Sequence, residues 1–210
     1  MSIVRLKPLA VAPLVALLAA CGGGEDAGGQ AQGDFCDTIP FTAPAASPYR
    51  LPYAVGTTFT VIQGNCPSNP NWGHHDSYAY DFDMPLGTPV IAMRGGTVIF
   101  ENDQYSNDDH VPGHENNVWI LHDDGTIAQY GHLSPGGNAV AVNQVVVSGD
   151  LLGLSGNSGN SAGPHLHVWV YANGLVFNKT NTVPQTFSNA GGVTEPSGEL
   201  IQGNAYTALP

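Results

Sequence analysis

The feature that most constrains the fold is a repeated alternation of short β-branched runs with tight-turn signals through the middle of the chain. Thr58-Phe59-Thr60-Val61-Ile62 ends at Gln63-Gly64-Asn65. Pro89-Val90-Ile91-Ala92 and Thr97-Val98-Ile99-Phe100 flank Gly95-Gly96. Asn117-Val118-Trp119-Ile120-Leu121 and Thr126-Ile127-Ala128-Gln129-Tyr130 flank Asp123-Asp124-Gly125. Each flanked turn predicts a hairpin, because β-branched and aromatic residues suit a pleated surface and glycine accepts the backbone angles of tight reverse turns. Val140 to Val147 alternates loosely, and Val168-Trp169-Val170-Tyr171 leads into a third turn signal, Asn173-Gly174. No stretch carries apolar residues at helical spacing for long enough to form an amphipathic helix. The expected domain is mostly β, an antiparallel sheet with few or no helices. The 27 Gly, 16 Pro and only 10% charged residues point the same way, since helical bundles draw heavily on Lys and Glu.

The charge balance removes one class of partner. Five Lys and Arg stand against 17 Asp and Glu, a formal net charge of −12. Such a chain has no basic patch to neutralise a phosphate backbone, so nucleic acid is not expected as a partner. The acidity reads as a well-solvated surface.

The first residues read as an export signal: Arg5 and Lys7 precede an apolar stretch, Leu9 to Ala20, too short to span a bilayer comfortably. Leu18-Ala19-Ala20-Cys21 resembles the lipobox of bacterial lipoproteins. That resemblance implies cleavage before Cys21 and a membrane anchor through lipid on Cys21. The alternative is an ordinary secretory signal with an incidental cysteine. Gly22, where Asp would mark retention, resembles lipoproteins sorted to the outer membrane. Cys36 and Cys66 then remain, either as two free thiols or as one disulfide closing a loop of 31 residues. Such a bridge would contribute roughly 3–4 kcal/mol by restricting the unfolded chain. No Cys-x-x-Cys spacing favours a metal role for them.

The expected organisation is a signal peptide at 1–20 and a flexible Gly- and Gln-rich tether at 21–33. A Pro-rich N-terminal arm at 34–58 follows, then the principal domain at 59–177. A C-terminal extension at 178–210 is expected to form an appended strand pair packed on that domain.

Five of the eight histidines fall in three short clusters. In His165-Leu166-His167 the two imidazoles are two residues apart, which on a strand puts them on one face with Leu166 turned to the other. His132 follows Tyr130-Gly131, where the second hairpin is expected to end. His74-His75 lies shortly before Asp81 in Trp72-Gly73-His74-His75-Asp76-Ser77-Tyr78-Ala79-Tyr80-Asp81-Phe82. Imidazoles with a carboxylate, and one coordination position left open, make the ligand set of a catalytic zinc. A further polar stretch, Glu101 to Glu115, holds Asp103, Asp108, Asp109, His110 and His114. It reads as a solvated surface loop, with a secondary ion site as the alternative.

Residues 59 to 171 resemble the lysostaphin-like, LytM-type zinc metallopeptidase domain. The matching text is Asp81-Phe82-Asp83-Met84-Pro85-Leu86-Gly87-Thr88-Pro89-Val90, Ala92-Met93-Arg94-Gly95-Gly96-Thr97-Val98, Tyr130-Gly131-His132-Leu133, Ser148-Gly149-Asp150, and Ser158-Gly159-Asn160-Ser161-Ala162-Gly163-Pro164-His165-Leu166-His167, all in the family's order. The resemblance implies that Asp81 and His167 bind Zn2+, with a histidine upstream of Asp81 as third ligand. It implies that His132 and His165 are catalytic histidines outside the ligand set. The compact form of the motif has its first histidine four residues before the aspartate, and here that position is Ser77. His74 and His75 lie seven and six residues before Asp81. His74 is preferred, because in members with a longer spacer the ligand tends to follow an aromatic and a small residue, as in Trp72-Gly73-His74.

The expectation is therefore a zinc endopeptidase acting on peptide cross-links of bacterial peptidoglycan. Its expected form is a monomer held by lipid in the cell envelope, on the periplasmic face of the outer membrane. The bond expected is D-alanyl to diaminopimelate. Gly153, Gly156, Gly159 and Gly163 are expected to let the loop before His165 approach an extended peptide. The rival is a non-catalytic LytM-type regulator that binds and activates cell-wall amidases.

Overall fold

The computed structural model describes residues 39–65, 74, 78–172 and 181–210. The signal and tether, Cys21, Cys36, Cys66, His75 and the Asn173-Gly174 turn lie outside the described residues.

The domain is mostly antiparallel β, with no α-helix among the described residues and one 3-10 turn at Pro44–Ala46. Eleven strands form among the described residues: β1 (Thr58–Gln63), β2 (Ala79–Phe82), β3 (Pro89–Ile91), β4 (Gly96–Asn102), β5 (Asn117–Leu121), β6 (Ile127–Gly131), β7 (Val145–Val146), β8 (Leu151–Leu154), β9 (Leu166–Tyr171), β10 (Ala190–Gly191) and β11 (Ala205–Ala208). Nine of them make one sheet in the order β10-β11-β1-β2-β9-β6-β5-β4-β7, while β3 and β8 form a separate pair.

Alternation along the strands sorts the two faces. Tyr80, Phe82, Val118, Ile120, Ala128, Tyr130, Leu166, Val168 and Val170 are fully buried on one side, packed with Met84, Val90, Met93, Leu133 and Leu152. The intervening residues Asp81, Asn117, Gln129, His167 and Trp169 therefore share the opposite face. Burying one aromatic or large aliphatic side chain contributes about 1.5–3 kcal/mol, so this dense apolar side fixes the strand register. A slip of one residue would exchange Leu166 and Val168 for His167 and Trp169.

The second hairpin forms as expected. Leu121 pairs with Ile127, and Gly125 supplies the positive φ of +84° at the turn. The first does not. Pro89–Ile91 pairs with β8, whereas Gly96–Asn102 pairs with β5 and β7. Neither Gly95 nor Gly96 takes a positive φ. A Cβ on Gly96 would lie 2.3 Å from the Leu121 carbonyl oxygen and 2.7 Å from Ile120 Cγ2. The glycine pair is there for close backbone approach to the neighbouring strands, not for a reverse turn.

The segments either side of the central strands are tied together. The Leu51 amide donates to Asn189 Oδ1 at 2.7 Å, the Ser188 amide donates to the Tyr49 carbonyl, and the Tyr53 hydroxyl donates to the Tyr206 carbonyl. β11 pairs with β1, so the C-terminal segment extends the main sheet.

Candidate metal centre and cleft

Asp81 on β2 and His167 on β9 are direct cross-strand partners, and Gly131 of β6 flanks His167 on its other side. His167 Nδ1 lies 2.7 Å from Asp81 Oδ1, and His74 Nε2 lies 3.2 Å from the same oxygen. One ligand atom from each of His74, Asp81 and His167 lies within 4.8 Å of the others. Among the described residues this is the one cluster of three or more metal-type ligands; the Glu101–Glu115 stretch forms none.

His74 reaches the centre through its backbone. It makes a parallel bridge with Asn65, and its amide donates to the Gly64 carbonyl at 3.1 Å. That places it beside the end of β1, where Gln63 pairs with Asp81.

Electrostatics leaves Asp81 and His74 in binding-ready forms. Burial favours a neutral Asp81, but the neighbouring His167 and His74 outweigh it and hold the carboxyl well below its usual range. Burial pushes the His74 imidazole down, against the opposing pull of Asp81. An ionised carboxylate and a neutral imidazole are the states a metal requires.

His132 and His165 face this cluster with ring centroids 4.5 Å apart. His165 Nε2 is 3.7 Å from Asp81 Oδ2. Each ring is oriented at its other nitrogen: His132 Nδ1 is 2.7 Å from the Ser158 carbonyl and His165 Nδ1 is 2.8 Å from the Gly163 carbonyl. A carbonyl only accepts, so both Nδ1 atoms carry the hydrogen and both Nε2 atoms present lone pairs when neutral. Burial, reinforced by His165 and His167, pushes His132 down to about 3. His132 also has φ of +59°, a left-handed backbone that a β-carbon disfavours and that collects at functional positions.

A cleft of about 830 Å3 opens over these groups, bordered also by Asp83, Glu115, Gly163 and Gln202. Of the four glycines expected to line it, Gly163 borders open space. A Cβ on Gly156 would strike the Leu133–Ser134 backbone at 2.4 Å, and one on Gly159 would strike Glu115 Cγ at 2.2 Å. Those two let the His165 loop lie tightly against neighbouring protein. Tyr130 is not at the cleft; it is fully buried, and its hydroxyl accepts from the Met93 amide at 2.7 Å.

Sequence reasoning missed the residues that orient the site. Ser158 supplies the carbonyl for His132, accepts from the Asn116 amide through Oγ, and donates to the Leu133 carbonyl. Trp169 packs edge-on against His167 at 4.6 Å and donates from Nε1 to Gln129 Oε1. Trp169 is two residues after His167, so the strand period alone would have placed it on the site face. Ser158 acts through backbone and a buried hydroxyl, for which no spacing rule exists.

The model for peptidase family M23 matches residues 75–179, half of the chain. The chain belongs to this family. It is 34% identical over 138 residues to lysostaphin of Staphylococcus simulans, covering 65% of this chain and 26% of that protein. It is 37% identical over 99 residues to the peptidoglycan DD-endopeptidase ShyA of Vibrio cholerae, covering 47% of this chain and 21% of that one. The chain spans about a quarter to a third of the length of the curated relatives it matches first. The solved structure of pseudoalterin, a deep-sea M23 metalloprotease, shares the fold at a TM-score of 0.50 and 21% identity, covering 79% of this chain and 98% of that one.

Proposed function

We propose that the protein is a zinc-dependent endopeptidase that hydrolyses peptide cross-links of bacterial peptidoglycan. The observation that carries this reading is the convergence of His74, Asp81 and His167 beneath a cleft that also holds His132 and His165. Around a tetrahedral zinc with ligand distances of ~2.0–2.2 Å, donor atoms sit about 3.3 Å apart. The spacings of 3.2 Å and 2.7 Å from Asp81 Oδ1 to the two imidazoles need little adjustment to reach that value. The donor set, two imidazoles and one carboxylate, is the set that would leave a coordination position for substrate or water.

His74, Asp81 and His167 hold the ion in this reading. Zinc bound there supplies Lewis-acid polarisation of the scissile carbonyl and an acidified water. The remaining steps belong to the two other histidines. His132, kept neutral by burial, accepts a proton at Nε2 or donates one there after protonation; His165 Nε2 serves the same cleft from the other side. Their Nδ1–carbonyl bonds hold each ring in the tautomer that this exchange requires. Between them they move a proton from the attacking water to the leaving amine and hydrogen-bond the developing oxyanion. The cleft, open at the surface, admits an extended peptide.

The same reading assigns the chain to the cell envelope as a monomer anchored through lipid on Cys21, at the periplasmic face of the outer membrane. There the bond cut is D-alanyl to diaminopimelate. The lipobox text supports the anchor, and the similarity to the DD-endopeptidase ShyA supports the bond.

The decisive experiment incubates purified protein with defined cross-linked muropeptides, with and without a chelator. Cleavage that a chelator abolishes and added zinc restores is expected. A folded protein that binds no zinc and cuts nothing, yet stimulates an amidase, would replace the enzyme with the regulator.

A further inference from the structure

His74 differs from the other two ligands in how it is held. Asp81 and His167 sit within paired strands of the central sheet, whereas His74 lies seven residues before Asp81 and one residue before the family match begins. Seven residues can extend up to ~24 Å, so chain connectivity alone does not direct His74 to the site. Among the described residues, its backbone is held by the hydrogen bond from its amide to the Gly64 carbonyl and by the bridge to Asn65.

Gly64 and Asn65 are themselves gripped by the C-terminal segment, far beyond the matched region. The Gly64 amide donates to Gln202 Oε1 at 3.3 Å, and a Cβ on Gly64 would meet Gln202 Cβ at 3.5 Å. The turn bearing Gln202 is fastened to β1 from both sides: the Gly203 amide donates to the Val61 carbonyl at 2.8 Å, and the Val61 amide donates to the Asn204 carbonyl at 3.0 Å. One residue further, Asn65 Nδ2 donates to the Tyr80 hydroxyl at 2.8 Å, and the Leu200 amide donates to that same hydroxyl at 3.2 Å. Tyr80 is fully buried and immediately precedes Asp81.

We propose that Gln202 is a positioning residue for the metal centre, and that the turn at residues 200–204 braces Gly64 so that His74 is presented to the ion. The inference rests on the metal reading above and adds to it a function for the C-terminal extension. The path runs from Gln202 Oε1 to the Gly64 amide, from the Gly64 carbonyl to the His74 amide, and from the His74 imidazole to Asp81. Each link is a hydrogen bond or a close polar contact, and no member of the path besides His74 and Asp81 touches the ion. Removing the brace leaves the ligand chemistry intact but lets the backbone that carries His74 relax. Loss of such an orienting partner lowers metal affinity by about 10–100-fold.

The test measures zinc affinity of the full-length protein by competition with a chromogenic chelator, together with thermal unfolding of the metal-free form. Gln202→Ala is expected to weaken zinc binding at least tenfold, with metal-free unfolding shifted by only a few degrees. Gln202→Glu keeps an oxygen acceptor at the same reach and is expected to restore most of the affinity. Glu195→Ala, an exposed change in the same extension, is expected to leave affinity unchanged. Wild-type affinity in Gln202→Ala overturns the brace while leaving the metal centre standing. Equal weakening in Gln202→Glu also overturns it, because the acceptor would then not matter. A wild-type protein that takes up no zinc overturns the metal reading itself, and the brace with it.

Discussion

Asp81 and His167 face each other across the β2–β9 ladder, and Asp81 Oδ1 lies within 3.2 Å of imidazole nitrogens from both His167 and His74. One carboxylate oxygen is thus the point where two strands and a separate backbone segment meet. Such an arrangement concentrates the cost of a single change. Asp81→Asn keeps the size of the side chain but removes the charge that holds both imidazoles. It is expected to lower zinc affinity by more than the ~100-fold typical of losing an outer partner, and to abolish cleavage. Zinc content after dialysis is the measurement; stoichiometric zinc in Asp81→Asn would show that the carboxylate is not a ligand.

The two other histidines call for the opposite signature. His132 and His165 touch the cleft but are not needed to complete the ligand set. His132→Gln and His165→Gln are each expected to cut turnover by ~10²–10⁴-fold, the range for losing a general acid or base, with zinc content unchanged. Parallel metal analysis and muropeptide kinetics separate this from ligand loss. If either variant loses its zinc, that residue belongs to the coordination sphere.

Much of the sheet was legible because its signals are local. Leu166-His167-Val168-Trp169-Val170 alternates so regularly that the buried and site faces follow from period two. The second hairpin was readable for the same reason: Gly125 needs a positive φ, and few other residues accept one. The Gly95-Gly96 pair misled because the same residue also serves close packing, and its neighbours Leu121 and Val146 come from distant sequence. The three residues of the His74, Asp81 and His167 cluster were legible as residue types in sequence order. The support of His74 was not, since Gly64 and Gln202 are 138 positions apart and neither carries chemistry of its own. The orienting roles of Ser158 and Gly163 stayed hidden because both act on His132 and His165 through main-chain carbonyls, which any residue possesses.

Buried histidines give the metal-free protein a pH dependence whose sign can be worked out. His122 is depressed by burial; its Nδ1–H donates to the Gly95 carbonyl at 2.9 Å, and its Nε2 is buried without a hydrogen-bond partner. His132 and His74 are depressed by burial as well. Unfolding frees each ring to take up a proton near pH ~6.5, which the folded protein refuses until lower pH. The unfolded state therefore binds more protons in that window, and stability falls as pH drops below ~6.5. Each group contributes up to ~1.4 kcal/mol per pH unit until its folded value is reached, about 3 for His132. Asp81 adds nothing here, since its own effect begins below pH ~4. Thermal unfolding of chelator-treated protein from pH 7.5 to 5 should show the decline, and His122→Gln should make it shallower. A flat profile would mean that these rings protonate as readily folded as unfolded.

Gly96 offers a test of the packing that displaced the expected first hairpin. If its role were conformational, alanine would be tolerated wherever φ is negative, and Gly96→Ala would stabilise slightly by restricting the unfolded chain. The structure instead sets the Leu121 carbonyl 2.3 Å and Ile120 Cγ2 2.7 Å from where a Cβ would sit. The backbones of β4 and β5 must then separate, and overpacking of this kind costs about 1–3 kcal/mol or more. Gly87 is the fitting comparison, because it has φ of +78° with nothing within 4 Å of its Cβ position. Gly87→Ala meets only the left-handed backbone penalty of roughly 1–2 kcal/mol. Denaturant titration of the two variants should place Gly96→Ala at or below Gly87→Ala in stability, and only Gly96→Ala should perturb the near-ultraviolet signal of Trp119, which neighbours Ile120. A Gly96→Ala protein as stable as wild type would show that β4 and β5 are not in that close contact.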